Sequence, residues 1–576
     1  MAEKKRTPTE KVQHLPTRQD LERARRDISR LAGEQALARI LDAPLPATLV
    51  QSFDEVDFHL LIHEIGPTDA LPVLALASDR QIQYLLDAET WQWDRFDNVA
   101  LTRWMAILVQ ADPGRMIPYL ARRQPELVEH FLWRNIETRV RQHDQDPSEF
   151  GDDSFTLDDV FYLRILKDPS FDAAEGDALA DRDQLIRDLI KRLSDYDYPY
   201  FRDLLIASTN LIPAEQEEEA LRQRTARLAE KGFLPFEEAV GIYQPLNADQ
   251  FRARGRKHFT WKDDTGLHLP VPCYAASAIP NQGIFAEALA RIAAGGDLAP
   301  VEAEFAGLCN RIAVADRLIV HRRGEIDALA RKASGYLDIA LEMMARVHGR
   351  VEADAAAALI GRHTLDDIFR VGYGAALNLK WMAENWQRQS WYRRQGLKLA
   401  FWDEAWMGVL GGLLIKRPLF FDNYSTGVLY REFASLEDVH QSRRAIENIM
   451  ALDALLDRMD LCGHPIGKTR GLTWKSLLLT LWARECTGGG GTQLTIGIGA
   501  LGEFLAVLKT ARGRISTAGR RNFLQWLAKR SRQPAEAVSE VLAAVFEALF
   551  QELEAEYGRV DTRRLDKRLV RLFLVV

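Results

Sequence analysis

The 576-residue chain has only four cysteines, at positions 273, 309, 462 and 486. They are too few and too scattered to staple a chain of this length, which points to a reducing compartment. Long apolar runs are also missing. The longest, Ala405 to Ile415, is broken by Gly408, Gly411 and Gly412 and stopped by Lys416 and Arg417. A helix needs about 20 apolar residues to cross a bilayer, so no span is predicted. Neither sign of charge dominates: 75 Lys and Arg stand against 82 Asp and Glu, a net charge of -7. That excludes a globally basic nucleic-acid binder and leaves only local patches. Met1 to Lys11 is polar and lacks the apolar core of a signal peptide. The expected location is the cytoplasm.

What is present is helical pattern. Hydrophobic residues make up 47% and charged residues 27%, an ordinary globular balance, and the length calls for more than one domain. Leu21, Ile28, Leu31, Leu37 and Ile40 predict an amphipathic helix over 18–41. Short helices are then expected over 53–65, 69–77 and 79–87, opened by Ser52, Thr68 and Ser78, followed by 99–109 and 124–137. Asp264-Thr265-Gly266 and Asn423 to Gly427 mark two hairpins. The predicted fold is mainly α: a multi-domain helical array with degenerate short-helix repeats and one or two small β-hairpins.

The expected organisation is a flexible tail over 1–20, a repeat-like helical domain over 21–143 and an acidic linker over 144–183. A helical continuation (184–245) and an irregular linker or hairpin (246–283) follow. A central helical domain (284–485, hairpin near 418–433) and a C-terminal helical domain (486–576) complete it, with Gly488 to Gly491 as a flexible joint.

The stretch SFDEVDFHLLIHEIGPTDALPVLALASDRQIQYLL, within residues 52–135, resembles the cytoplasmic helical N-domain of MgtE-type magnesium transporters. That resemblance implies a binding or regulatory helical scaffold. HDQDPSEFGDDSFTLDDVFY and LPFEEAVGIYQPL resemble an uncharacterised bacterial family, a domain of unknown function, which implies no mechanism.

Motifs that could carry chemistry are incomplete. Gly463 to Thr469 has the Gly, Lys and Thr of a phosphate loop, but Cys462 stands where the first glycine belongs and a helix is predicted before it. Asp144, Asp146, Ser148 and Asp152 follow a calcium-loop spacing, but Glu149 and Phe155 occupy the positions that need Gly and Glu. Cys462, His464 and Cys486 match no zinc spacing. His59 and His63 are four apart on one helix face, with Glu64 following, yet no third ligand is identifiable, so an ordinary histidine pair is the expectation. No catalytic, cofactor-binding or metal residue is therefore assigned, and no cofactor is expected.

Two surfaces remain. Trp381, Trp386, Arg388, Trp391, Arg393 and Arg394 form a candidate surface for a protein partner, with Trp402 and Trp406 nearby. Lys509, Arg512, Arg514, Arg520, Arg521, Lys529, Arg530 and Arg532 form a candidate basic patch with no acidic residue between Phe504 and Ala535. The expected function is a scaffold or regulatory adaptor binding a protein partner. The alternatives are a nucleotide- or metal-dependent enzyme whose residues are dispersed in sequence, and a nucleic-acid-associated protein using 509–532.

Overall fold

The computed structural model describes residues 16–92, 94–167, 182–209, 213–254, 272–296, 298–459, 461, 463–469 and 471–576. It is mainly α-helical with a few small antiparallel strand pairings, as the periodicity predicts. No helix among the described residues is long and apolar enough to cross a membrane. The chain divides into two compact units. Unit 1 takes residues 1–244, 256–334 and 357–366, and unit 2 takes 245–255, 335–356 and 367–576.

Unit 1 opens with α1 (Arg18–Ile28), α2 (Gly33–Leu41) and α3 (Pro46–Gln51), where one long helix was expected over 18–41. The break at 29–32 lets α2 turn onto α4 (Glu55–Ile65). A Cβ at Gly33 would stand 2.0 Å from the Glu64 carbonyl oxygen, so only glycine allows this approach. Then come α5 (Leu71–Leu76), α6 (Asp79–Glu89), the two-residue strands β1 (Trp91–Gln92) and β2 (Arg95–Phe96), α7 (Asn98–Ala111), α8 (Pro113–Arg123) and α9 (Pro125–Asn135). Ser78 opens α6 as expected, its hydroxyl accepting from Gln81 N at 3.3 Å while the Gln81 side chain caps Ser78 N at 2.8 Å. α4 starts two residues later than expected because Asp54, rather than Ser52, caps it, accepting from Val56 N at 2.9 Å.

Part of the expected acidic linker is folded. β3 (Ile136–Val140), β4 (Ser154–Thr156) and β5 (Phe161–Ile165) form an antiparallel sheet in the order β3-β5-β4. Its carboxylates hold turns: Asp158 accepts from Val160 N and Phe161 N, both at 2.9 Å, and from the Tyr198 hydroxyl at 2.6 Å. Asp146 caps the 3-10 turn Pro147–Phe150. α10 (Arg182–Tyr196), α11 (Tyr198–Thr209), α12 (Pro213–Ala229), α13 (Ile284–Gly295), α14 (Ala299–Asp316) and the start of α15 (Arg323–Met344) are the longer helices of the rest of the unit. The hairpin expected around 264–266 lies outside the described residues.

Unit 2 contains most of α16 (Leu365–Gln389), with α17 (Asp403–Leu413), α18 (Leu436–Arg458), α19 (Trp474–Cys486), α20 (Ile498–Leu508), α21 (Thr517–Ser531) and α22 (Ala535–Tyr557). The second expected hairpin is present, Phe420–Phe421 pairing with Tyr430–Arg431. Trp482 is fully buried between Phe504 and Phe523, at ring separations of 4.9 and 5.0 Å. The Gly488 to Gly491 run is pinned rather than free. Gly489 N donates to Arg484 O at 2.8 Å, and the buried Arg484 guanidinium donates to Gly490 O at 2.7 Å and Thr495 O at 2.6 Å.

Candidate metal centre

The helix α4 is buried on nearly every face. Phe58, Leu61, Ile62 and Ile65 enter the main core of unit 1, and Val56 and Leu60 join a smaller cluster with Tyr84, Tyr274 and Ile326. Among the polar residues of α4, His59 and His63 lie one turn apart and face the end of α6, which packs on α4. Glu89, the last residue of α6, projects into that face. Its register is fixed from the other end of α6, where Gln81 Nε2 donates to Val50 O at 2.8 Å and Phe53 O at 3.0 Å.

The fourth group arrives from 232 residues further on. After α14 the chain turns at Arg317, in the left-handed region with φ 57°, and runs out to His321 just before α15. Glu325 fixes this turn by accepting from His321 N at 2.8 Å and Arg322 N at 3.0 Å. Glu64 accepts from Arg323 N at 3.0 Å, so the residue after His63 ties α4 to the segment that carries His321.

Glu89 Oε1 lies 2.6 Å from His59 Nε2, 2.8 Å from His63 Nε2 and 3.2 Å from His321 Nε2. Glu89 Oε2 accepts from the Trp104 indole N–H of α7 at 3.1 Å. The His63 and His321 rings stack at 4.4 Å, with His59 edge-on to His63 at 4.7 Å. The four potential ligand atoms all lie within 4.8 Å of one another. His59 is buried, while the His321 side chain is 40% exposed, so the cluster reaches solvent along the His321 edge.

Electrostatics follow from this packing. Burial alone would push the Glu89 carboxyl up, but the hydrogen bonds from His321, His59 and His63 together hold it far below the usual carboxylate range. Burial pulls the His59 imidazole down against its hydrogen bond to Glu89, favouring the neutral ring. The bond to Glu89 raises His321 against its partial burial. A carboxylate held in its ionised form facing imidazoles offers the kind of donor set that suits a cation.

The sequence-predicted pair His59 and His63 thus gains the further groups that spacing could not supply. Other expectations are corrected. Trp386 and Trp391 belong to the interior of unit 2, not to a partner surface. Buried Asp453 accepts from Trp386 Nε1 at 3.2 Å, Trp391 N at 3.0 Å and Tyr392 N at 2.9 Å. Trp381, Arg388, Arg393 and Arg394 are exposed. The basic patch is partly spent on neighbours. Arg520 pairs with Glu547 and Glu554, Lys529 with Glu485, and Lys509 caps Tyr557 O and Val560 O. Arg512, Arg514, Arg521 and Arg532 are exposed, and Arg530 is half-buried.

Gly463 to Thr469 is an interhelical turn after α18, with the Thr469 hydroxyl donating to Pro465 O at 2.8 Å. His464 Nδ1 lies 2.8 Å from Thr492 O and the Cys486 thiol donates to Asn522 Oδ1 at 3.4 Å; Cys462 lies outside the described residues.

Sequence comparison places residues 14–576 within one family. The chain belongs to DUF6178, a family of unknown function. No curated protein and no solved structure matches it. The expectation from HDQDPSEFGDDSFTLDDVFY and LPFEEAVGIYQPL is therefore met at the level of the family. DUF6178 membership brings no activity with it, and the chemistry must be read from the site.

Proposed function

We propose that this chain is a metalloprotein whose unit 1 binds one first-row divalent transition-metal ion through His59, His63, Glu89 and His321. The observation that carries this reading is the convergence of three imidazole Nε2 atoms and one carboxylate oxygen within 4.8 Å from three separate segments. Three nitrogen donors favour zinc, iron, cobalt, nickel or copper over magnesium or calcium, which prefer oxygen. With metal–ligand bonds of about 2.0–2.1 Å, neighbouring donors stand roughly 2.9 Å apart around a six-coordinate ion and roughly 3.3 Å apart around a tetrahedral one. His321 Nε2 is 3.2 Å from Glu89 Oε1, while His59 and His63 sit closer and withdraw by roughly half an ångström on metal binding.

Trp104 supplies the outer support expected of a metal-bound carboxylate, occupying Oε2 and leaving Oε1 to the ion. This favours the metal-dependent version of the enzyme alternative. The adaptor reading comes second, because Trp381, Arg388, Arg393 and Arg394 retain exposure but lose the anchors Trp386 and Trp391 to the core.

The test is elemental analysis of the full-length protein purified without chelators, followed by titration of the chelator-treated protein with Zn²⁺, Fe²⁺, Co²⁺, Ni²⁺ and Cu²⁺. One equivalent bound by the natural protein and lost in His63→Ala supports the reading. Failure of all five ions to bind stoichiometrically overturns it.

A further inference from the structure

Beside the histidines lies a cavity of about 150 Å³ in unit 1, lined by His59 and His321 together with Tyr84, Arg224, Asn310 and apolar side chains including Leu60, Phe233 and Ile326. A cavity of about this size accommodates a ligand of roughly six heavy atoms. Its walls are largely apolar, and its polar groups are few and differ in how far their bonds are already committed, the pattern of a small-molecule site.

Arg224 comes from α12 and is held at its Nε, which donates to Asp87 O at 2.6 Å, with the guanidinium 5.3 Å from the Trp91 ring centroid. The neighbouring acid, Asp87, is engaged by Arg227 through both carboxylate oxygens at 2.7 Å. Arg224 therefore brings a positive charge to the cavity with no carboxylate paired to it among the described residues. The Tyr84 hydroxyl has no hydrogen-bond partner among the described residues, whereas Asn310 Nδ2 already donates to Lys231 O at 2.7 Å. Three neutral imidazoles, one carboxylate and a divalent ion sum to +1, and Arg224 adds another positive charge.

We propose that this cavity takes a small organic acid of about six heavy atoms, its carboxylate against Arg224 and Tyr84 and a second oxygen completing the coordination of the ion between His59 and His321. The inference rests on the metal reading. Because Trp104 ties up Glu89 Oε2, the carboxylate supplies one donor, and four protein donors leave a six-coordinate ion two positions for a ligand. The cavity meets the ligand set along the edge formed by His59 and His321.

The experiment uses the full-length protein loaded with Co²⁺, whose visible absorption reports its coordination sphere, titrated with acetate, lactate and malonate. The expected result is a saturable spectral change with lactate or malonate. Arg224→Met weakens it at least tenfold and Tyr84→Phe weakens it several-fold, with one Co²⁺ still bound in each; Tyr84→Phe keeps the test in force if Arg224→Met does not fold. An unchanged spectrum with Co²⁺ bound one-to-one makes the centre a closed structural site, overturning this inference while the metal reading stands. A change undiminished in both variants removes the cavity from the binding and overturns it equally. If Co²⁺ and the other ions fail to bind, both readings fall.

Discussion

Replacing Glu89 by Gln tests the centre at the atom where its contacts meet. Oε1 takes three imidazole nitrogens and Oε2 takes the Trp104 indole N–H. A glutamine carbonyl turned toward the histidines sets its NH₂ against the indole N–H, donor against donor. Turned the other way, it satisfies Trp104 and presents donors to nitrogens that had donated. Either rotamer leaves mostly buried groups unmatched and removes the negative charge. With hydrogen bonds to a charged partner contributing about 1.5–3 kcal/mol each, and some recovered by relaxation, the expected cost to the metal-free protein is about 2–4 kcal/mol.

The metal-bound protein loses more. At a free metal concentration one hundred times the natural Kd, binding stabilises by about 2.7 kcal/mol. A hundredfold weaker variant gains only about 0.4 kcal/mol at the same concentration. Hydrogen exchange of peptides covering α4, α6 and residues 318–325, with and without Zn²⁺, reads both effects where they arise, and calorimetry gives the affinity. If saturating Zn²⁺ slows exchange equally in the natural protein and Glu89→Gln, or in neither, the assignment of Glu89 as a ligand is refuted.

Gly33→Ala forces α2 away from α4 at the Glu64 carbonyl, and should cost about 1–3 kcal/mol and weaken metal binding although residue 33 touches no ligand; unchanged affinity with an unchanged melting temperature would contradict the close approach. Burial lowers the His130 imidazole to about 4, against an ordinary value of 6.5. The folded state thus binds its proton less readily than the unfolded chain, and this contribution is full above pH 6.5 and lost as pH falls from 6.5 toward 4. Its slope is at most about 1.4 kcal/mol per pH unit, and His130→Phe should flatten acid destabilisation in that window; an identical pH profile would sink the argument. Asp453→Ala strips the partner from two backbone N–H groups and the Trp386 indole, an expected loss of about 3–5 kcal/mol in unit 2 with metal binding in unit 1 retained. A loss below about 1 kcal/mol, measured by urea unfolding, would show these donors finding other partners.

Helical periodicity made the fold class legible, and Ser78 and the 418–433 hairpin were readable from local chemistry. The break between α1 and α2 was not, because its cause is the approach of Gly33 to Glu64, a contact across 31 residues of sequence. The β3-β5-β4 sheet was hidden because Asp146, Asp158 and Asp159 look like solvated linker charge until their turn hydrogen bonds are seen. Half of the metal centre was visible in the spacing of His59 and His63. Glu89 looked like one more charge at a helix end, and His321 lay in a turn with no motif around it. The signal that could have found Glu89 was its place two residues past the helix expected over 79–87, which α6 extends to include. The tryptophan cluster misled because a dense aromatic segment suits a core and a surface equally, and only the acceptor at Asp453, more than 60 residues later, decides between them.

The separation of Glu89 and His321 along the chain bears on how the protein tolerates being cut. A bound ion would be a reversible cross-link closing a ring of more than 200 residues, and a single backbone cleavage anywhere inside that ring would leave two pieces still tied through the metal. Such a nicked protein would stay together in the presence of the ion and come apart when a chelator is added. Conversely, a fragment ending before His321 would carry three of the four donors and an unfilled side, exposing the ionised Glu89 and its two helical histidines to whatever cations the solution provides.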